Sequence, residues 1–400
     1  MTGSVTLLPI EPTSSGGLRL GATLKIHGSI KKWHQYIEID GPLPEVFSPV
    51  HSGDVWATYF IFKMMEFGGE FSIEGEMSAS LVENLDRFVE AWCCLRPDLF
   101  RRISLLPSHL IDDSEVRKSS EALACFSGGL DACFTLFRHK KGMAGPQNLD
   151  IRACLFVHGA DIRIDHEKEF QQSLGPCREL VSDLGVNQLF VVKSNFREMR
   201  CPYAMSFLAL LVAAMRAVGQ NFGNFVIGSD LPFNFFGCPW GSNPVSNHYL
   251  SSNNIRLVTD GLGHGRTAKA ALVSEWPLAL DRLRVCFSDS TPGGNCGKCS
   301  KCRRTYMNFL SAGSEVPRCM PPIPENCDIS DIDLNSQLEP YYARDILQYA
   351  DAHGRSELDW VVRLRSRLAA IEREGAPQKK KRRGMIGRLI RHFERRRAGR

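Results

Sequence analysis

The sequence predicts an α/β protein with helices on both faces of a parallel sheet, plus an N-terminal α/β region and a C-terminal helical extension. Between residues 121 and 227, short apolar runs of strand character alternate with segments of helical periodicity. Strands that alternate with helices pair in parallel, and the helices then cover both faces of the sheet. Ligands of such sheets bind at the edge where the strands end.

Composition indicates a globular protein of two or three domains. The chain has 400 residues, of which 43% are apolar and 23% are charged, and both fractions are ordinary for a globular protein. The longest apolar segment, over 205–218, is too short to cross a bilayer. Because no secretory signal opens the sequence, the fourteen cysteines are expected to be reduced, and the expected compartment is the cytoplasm.

Changes of pattern divide the chain into four segments. Residues 1–118 form an α/β region with no assigned role, and residues 119–318 form a nucleotide-binding domain with a cysteine metal site. Residues 319–375 are a helical extension, interrupted near Gly354, and residues 376–400 are a basic tail. Because residues 378–400 carry a charge of +10 within a chain of net charge +5, the remainder is mildly acidic.

The N-terminal region begins with twenty residues that are expected to be irregular. Two strands then follow between residues 20 and 40, and a buried helix covers 55–67. A strand over 70–75 precedes a second helix. The helix is predicted because four apolar residues recur at helical spacing along one face. These four residues are Leu81, Leu85, Phe88 and Trp92.

Four strands and an apolar helix are predicted in the second segment. The strands cover 122–126, 151–158, 189–193 and 224–227, and the helix covers 205–218. Because the carboxyl ends of parallel strands lie at one edge, the residues that follow each strand are candidates for ligand contact. These residues are 127–131, 158–161, 193–197 and 228–231.

A glycine turn follows the first of these strands. Two adjacent glycines permit unusual backbone conformations, and the free amides of such a turn suit a phosphate group. The run Ser127-Gly128-Gly129-Leu130-Asp131-Ala132 resembles the PP-loop signature S-G-G-x-D-S of the ATP pyrophosphatase superfamily, with Ala132 at the final serine position. The resemblance implies that these six residues bind ATP with Mg²⁺ and that ATP is cut between its α and β phosphates. An ordinary strand-to-helix turn is the alternative.

Four cysteines downstream have the spacing of a metal site. Cys286, Cys296, Cys299 and Cys302 form C-x9-C-x2-C-x2-C, with glycines between the first two ligands. Four thiolates bind Zn²⁺ tetrahedrally and leave no open position, so the zinc is expected to be structural. The neighbouring lysines and arginines, which include Lys301 and Arg304, are expected to offset the charge of the thiolates.

Together, the loop and the cysteines resemble the 7-cyano-7-deazaguanine synthase family of the queuosine pathway, over about residues 121–310. This resemblance implies an adenine nucleotide alpha hydrolase-like fold and zinc on the four cysteines. It also implies adenylation of a deazapurine-like carboxylate and transfer to ammonia, with Asp131 and Lys269 as catalytic residues. Long, divergent relatives of this synthase occur in antiviral defence islands, and the length of this chain is compatible with such a role.

Several residues near the loop have two interpretations. His158 and Asp161 are candidates for contact with adenosine or ribose, and a structural histidine is the alternative. Arg266 and Lys193 either balance the charge on pyrophosphate or are solvated surface charges. Four aromatic residues either stack on a planar base or belong to the core. These are Phe233, Phe235, Phe236 and Trp240.

Three functions remain open from the sequence. The first is a synthetase that activates a small-molecule carboxylate, with ammonia or another amine as acceptor. The second is a tRNA-modifying, thiolase-like PP-loop enzyme, although Cys125 and Cys133 are expected to be buried and Cys238 is expected to be an unreactive thiol. The third is a non-catalytic nucleotide-binding protein. The basic tail has RNA, a membrane surface or a protein as candidate contacts, or is a solubilising segment.

Overall fold

The computed structural model describes residues 2–45, 47, 49–115, 119–219, 221–286, 294–322, 328–336 and 338–373. The basic tail over 376–400, with its candidate contacts to RNA, membrane or protein, lies outside the described residues. Within the described residues, none of the helices combines the length and the apolar character needed to cross a membrane.

A ten-stranded, mostly parallel sheet runs through the described chain. The strands are β1 Thr2–Pro12, β2 Leu18–Ile26, β3 Lys32–Asp40, β4 Gly69–Ser78, β5 Ile103–Ile111, β6 Glu121–Cys125, β7 Asp150–His158, β8 Gln188–Ser194, β9 Asn224–Gly228 and β10 Arg256–Asp260. Their order is β10-β9-β6-β7-β8-β3-β2-β1-β4-β5. Among the described residues, six strand pairs are parallel and three are antiparallel.

Helices cover both faces of this sheet. They are α1 Gly53–Phe67, α2 Ala79–Leu95, α3 Leu130–Lys140, α4 Glu167–Asp183, α5 Tyr203–Val218, α6 Arg266–Val273, α7 Pro277–Arg282, α8 Ser300–Ala312, α9 Glu339–Ala352 and α10 Asp359–Arg373. One core lies under α1, α2 and α5, and the other under α3, α4 and α6 to α10. Within β6, Leu123 belongs to the first core, whereas Ala122 and Ala124 belong to the second. This alternation follows from the two-residue period of a strand.

The N-terminal region shares its sheet with the loop-bearing region. Strand β3 pairs antiparallel with β8, from Ile37 opposite Ser194 to Asp40 opposite Val191. Residues on both sides of this junction, such as Ile39 and Val192, belong to the same core. A single sheet therefore joins residues 2–115 to the strands that carry the predicted ligand site.

The expectation of an irregular N-terminus is wrong. Strand β1 begins at Thr2 and pairs with both β2 and β4. Within β1, only Gly3 and Val5 are buried, so the apolar alternation that marks a half-buried strand is nearly absent. Backbone hydrogen bonds to two neighbouring strands hold this segment in the sheet. Strands β5 and β10 were also absent from the predicted set, and each lies at an edge of the sheet.

Most of the remaining elements agree with the periodicity of the sequence. Helix α1, strand β4 and helix α2 confirm the predicted elements, and the four residues predicted on one face of α2 are all buried. Strands β6 to β9 and helix α5 lie within a few residues of their predicted bounds. The helical extension is two helices, α9 and α10, with the break near Gly354, as predicted.

Candidate functional site

The predicted phosphate loop connects β6 to α3 at the carboxyl edge of the sheet. Gly128 has a φ of 70°, a left-handed conformation that favours glycine. Gly129 follows in extended conformation and caps α3. The backbone amides of residues 127–132 donate to no acceptor among the described residues. The turn and the first turn of α3 therefore present a row of free N–H groups at a helix N-terminus, which favours an anion.

The loop after β9 lies directly against this turn. A Cβ on Gly228 would lie 2.6 Å from the backbone oxygen of Asp131, so only glycine permits this contact. The next residue, Ser229, accepts a hydrogen bond at 2.9 Å from Lys269 Nζ through its hydroxyl, and its carbonyl accepts another. The predicted residues 127–131 and 228–231 are thus brought together.

Asp131 lies between two cations of α6. Arg266 donates to Asp131 Oδ2, and Lys269 Nζ lies 3.3 Å from Asp131 Oδ1. Burial alone would raise the pKa of Asp131, but Arg266 and Lys269 lower it below its ordinary value. Arg266 and Lys269 are 5% and 1% exposed, so neither is a solvated surface charge. Both predicted catalytic residues, Asp131 and Lys269, therefore lie in one ion-paired group.

Helix α8 contributes two further cations that the sequence analysis assigned to the thiolates. Arg304 is buried and forms an ion pair at 2.5 Å with Glu339. Its guanidinium also lies 3.8 Å from the centre of the Tyr342 ring. Burial lowers the pKa of Lys301 to about 8, and the charges that act on it are those of the loop region, Asp161 and Arg266. The charge of Arg266 therefore acts on both Lys301 and Arg304.

The C-terminal extension packs over the same group of residues. Helix α9 packs against α6 and α8, and its Asp345 accepts hydrogen bonds from the amide and hydroxyl of Thr267 at 2.9 and 2.8 Å. Because the first amides of a helix lack internal partners, Asp345 stabilises the start of α6. Glu339 and Tyr342 hold Arg304 from the same helix.

Asp230 is an acidic residue of the site that the sequence analysis did not single out. Its carboxylate accepts a hydrogen bond at 2.7 Å from Trp240 Nε1. Burial raises the pKa of Asp230 above its ordinary value, and the charge of Asp131 raises it further. Trp240, a candidate for base stacking, is thus oriented by an acid of the site.

The residues after β7 and β8 have less direct relations to the loop. His158 is completely buried; its Nε2 lies 2.8 Å from the Arg163 carbonyl, and its ring stacks on Phe170 at 4.3 Å. This is the environment of a structural histidine, and contact with adenosine stays a prediction. Lys193 lies 3.7 Å from Glu167. Asp161 accepts from the Tyr203 hydroxyl at 3.2 Å.

The segment after β9 carries several aromatic side chains. Phe233 and Phe236 are 61% and 62% exposed, so they are not core residues. Phe235 packs edge-on against Tyr341 of α9, with ring centroids 3.7 Å apart. Exposed and half-exposed rings next to the loop are compatible with contact to a planar base.

The four predicted metal-ligating cysteines form one cluster. Their sulfur atoms all lie within 4.8 Å of one another. The sulfurs of Cys286 and Cys299 are 3.8 Å apart, and those of Cys296 and Cys302 are 3.9 Å apart. A zinc ion bound at about 2.3 Å to four sulfurs requires tetrahedral edges of about 3.8 Å. The cluster therefore has the dimensions of a zinc site, and the sulfur pairs are too far apart for disulfides.

Backbone and amide hydrogen bonds hold this cluster. The amides of Lys298 and Cys299 donate to Cys296 Sγ at 3.4 and 3.3 Å. Asn295 accepts from Val285 N at 2.9 Å, and thereby joins the segment of Cys286 to the other three cysteines. Cys299 is the N-cap of α8. The cluster thus fixes the start of the helix that carries Lys301 and Arg304.

The cysteines that flank the loop have thiols with raised pKa values. Burial raises the pKa of Cys125 to about 12, and it raises the pKa of Cys133 well above its ordinary value. A catalytic thiol requires a lowered pKa because the thiolate is the nucleophile. Burial also raises the pKa of Cys238. These thiols are suited to structural roles.

No family model, curated protein or solved structure matches this chain.

Proposed function

We propose that the chain is an ATP-dependent synthetase that adenylates a carboxylic acid, releases pyrophosphate and transfers the acyl group to ammonia or another amine. The observation that carries this proposal is the row of free amides over residues 127–132, with Arg266 and Lys269 beside it. Free amides at a helix N-terminus suit phosphate oxygens, and adjacent buried cations stabilise charge that develops on a leaving group.

Each step assigns a task to residues of this chain. The amides of the turn hold the triphosphate while a carboxylate oxygen of the acid attacks the α-phosphorus. The bond between the α-phosphorus and the bridging oxygen then breaks, and its electron pair leaves with pyrophosphate. Arg266 and Lys269 stabilise this charge, and Asp131 keeps both cations in position. The amine nitrogen then attacks the acyl carbon and loses a proton to solvent. The bond between the acyl carbon and the AMP oxygen breaks, and its electron pair leaves with AMP.

Mg²⁺ would accompany ATP at the same place. Its preferred ligands are carboxylate and phosphate oxygens, and the carboxylates of Asp131 and Asp230 lie close enough to raise the pKa of Asp230. When bound with ATP, Mg²⁺ supplies further charge neutralisation on the phosphates. Both oxygens of Asp131 already contact cations of α6, which favours an orienting role for this residue over direct metal ligation.

The proposed substrate is a planar, deazapurine-like acid. The motif Ser127 to Asp131 and the cysteine quartet resemble those of 7-cyano-7-deazaguanine synthases, in the PP-loop superfamily with its adenine nucleotide alpha hydrolase-like fold. The aromatic residues after β9 supply surfaces for a planar ring. A single activation would give an amide, and two activations with ammonia would give a nitrile. A role in antiviral defence rests on the same resemblance.

The four-cysteine cluster is suited to a structural zinc ion. Its four sulfurs have tetrahedral spacing and leave no position for a substrate. The cluster lies next to the loop because the amide of Arg284, two residues before Cys286, donates to the Gly128 carbonyl at 2.9 Å. Helix α8 begins at Ser300, directly after Cys299. Zinc would therefore support the site by fixing α8, and the adenylation chemistry would belong to the loop and α6.

A tRNA thiolase is the second candidate, and the buried thiols count against it. Thiol transfer needs a reactive cysteine near the loop, whereas the pKa of Cys125 is raised to about 12 and that of Cys133 well above its ordinary value. Cys238 also has a raised pKa. A non-catalytic nucleotide-binding protein would use the same loop without an acid subsite.

Labelled ATP separates these functions. The full chain would be incubated with Mg²⁺ and ATP labelled in the α-phosphate, together with a deazaguanine carboxylic acid and ammonium, with bulk tRNA, or with neither. The proposal expects AMP to form only with the acid. Dependence on tRNA would replace the proposal by the second candidate, and binding of ATP without cleavage under any condition would leave only the nucleotide-binding function.

A further inference from the structure

Two buried arginines next to the loop have hydrogen-bonding capacity that the protein does not use. Arg266 and Arg304 are 5% and 6% exposed. The Nε–H group of each has no acceptor among the described residues. A buried donor without a partner costs free energy unless a ligand or water accepts from it. These two groups therefore point to an anion that the protein itself does not supply.

The two arginines belong to one packed unit. Helices α6 and α8 pack against each other, and α9 contacts both: its Glu339 pairs with Arg304, and its Asp345 accepts from the amide of Thr267, the residue after Arg266. Two buried cations on helices that pack together repel each other, and each has one acidic partner, Asp131 for Arg266 and Glu339 for Arg304. An anionic group between them would relieve the repulsion and accept from the unused N–H groups.

The surroundings of Arg304 fix the direction of its guanidinium. Glu339 contacts Nη1 at 2.5 Å, and the Tyr342 ring lies against the guanidinium plane at 3.8 Å. Both residues come from α9. The cysteine cluster fixes the start of α8, the helix that carries Arg304. A side chain held on two sides in this way loses little freedom when it binds a ligand.

We propose that Arg304 and Arg266 form an anion subsite beside the glycine turn, built by the cysteine cluster through α8 and closed by α9, which binds an anionic oxygen group of the ligand. The group is either the pyrophosphate part of ATP or the carboxylate of the acid, and the inference rests on the proposed function for this choice of ligands. Arginine suits both groups because its planar fork matches phosphate and carboxylate oxygens. Arg304 is thereby assigned to ligand binding, and Glu339 and Tyr342 become positioning residues.

The chain offers a matched control. Arg303 precedes Arg304 on the same helix, but its Nη1 makes a 3.4 Å ion pair with Asp331 rather than with a residue of α9. The substitutions Arg304→Gln and Arg303→Gln therefore remove the same charge at adjacent positions, and only the first removes it from the subsite. Zinc content and unfolding temperature would be measured for both variants. Should Arg304→Gln fail to fold, Arg304→Lys keeps the charge and removes the fork.

The test is calorimetric titration of the full, zinc-loaded chain with pyrophosphate, with AMP and with a deazaguanine carboxylic acid. We expect Arg304→Gln to weaken pyrophosphate binding at least tenfold, while Arg303→Gln changes it less than twofold and AMP binding is unaffected in both. A tenfold loss for the acid instead of pyrophosphate would support the subsite and identify its anion as the carboxylate. A change of less than twofold for both ligands, or no binding of either to the wild-type chain, would overturn the subsite.

Failure of the subsite can be distinguished from failure of the proposed function. If the wild-type chain binds pyrophosphate through Arg304 but forms no AMP from ATP, the synthetase proposal fails and the subsite stands. If AMP forms and both arginine variants bind all three ligands as the wild type does, the subsite fails and the synthetase stands.

Discussion

Replacement of Cys299 by serine should remove the metal without removing the cap of α8. Cys299 is one of the four clustered cysteines, and its sulfur also accepts the amide of Cys302 at 3.4 Å as the N-cap of the helix. Serine is a good N-cap residue but a poor zinc ligand. Cys299→Ser therefore separates metal binding from helix capping. We expect one zinc per wild-type chain and almost none in the variant.

The size of the effect follows from linkage. The sulfur separations of 3.8 and 3.9 Å match a preformed tetrahedral site, so zinc would bind the folded state, whereas the unfolded state has no such site. With free zinc at about 1,000 times its Kd, binding stabilises the fold by about 4 kcal/mol. We expect Cys299→Ser, and wild type treated with a chelator, to lose free energy of unfolding of this order.

Zinc content by mass spectrometry and urea unfolding are the assays. Cys319→Ser is the matched control, because Cys319 donates to the Leu283 carbonyl at 3.1 Å beside the cluster but is not one of its four cysteines. The control should retain its zinc and most of its stability. Unchanged zinc content in Cys299→Ser, or wild type without zinc, would refute the metal site. If the cluster also supports Arg304, chelation should weaken pyrophosphate binding.

Three further changes test the geometry of the site, each by urea unfolding. Gly128→Ala should lower the free energy of unfolding by about 1–2 kcal/mol, because the φ of 70° at Gly128 is left-handed. Gly129→Ala, with no atom closer than 3.4 Å to the added Cβ, should change this free energy by less than about 0.5 kcal/mol. Equal losses in the two variants would contradict the reasoning. Asp345→Ala should lower the free energy of unfolding by about 2 kcal/mol, because the amide and the hydroxyl of Thr267 both lose their acceptor. Asp345→Asn keeps an acceptor and should lower it less. Because the pKa of Asp230 is raised, the loss of stability that it causes appears as the pH rises above 3.8 through the folded pKa. Asp230→Asn should therefore stabilise the protein at neutral pH, with a gain that shrinks in acid. A pH-independent gain would contradict this cause.

The part of the fold that the sequence predicts is the part with strong periodicity. The four apolar residues of α2 repeat at helical spacing and are all buried, and the apolar runs of β6 to β9 are buried strands. Strand β1 could not be predicted this way, because pairing with β2 and β4 rather than side-chain burial places it in the sheet. The junction of β3 with β8 is equally invisible to local patterns, since it pairs residues about 150 positions apart.

The candidate site also has parts that the sequence predicts and parts that depend on packing. Local motifs identify the residues 127–132 and the four cysteines, because each motif is contiguous or nearly so. The contribution of α9 depends on how the extension packs, and nothing in the sequence around Tyr342 signals it. Lys301 and Arg304 did carry a signal: they lie three residues apart, and residues so spaced share a helix face. Their proximity to the cysteines suggested charge balance instead.

The most direct test of the central claim is the identity of the products formed from ATP by the wild-type chain and by Asp131→Asn. Asp131 holds Arg266 and Lys269 beside the glycine turn. The control is Asp281→Asn, because Asp281 is a surface residue paired with Arg318. Mass spectrometry after incubation with Mg²⁺, ATP, ammonium and a deazaguanine carboxylic acid should find AMP and pyrophosphate in equal amounts for the wild type and the control. Asp131→Asn should form almost none. ADP and phosphate as the products, or full activity in Asp131→Asn, would contradict the account.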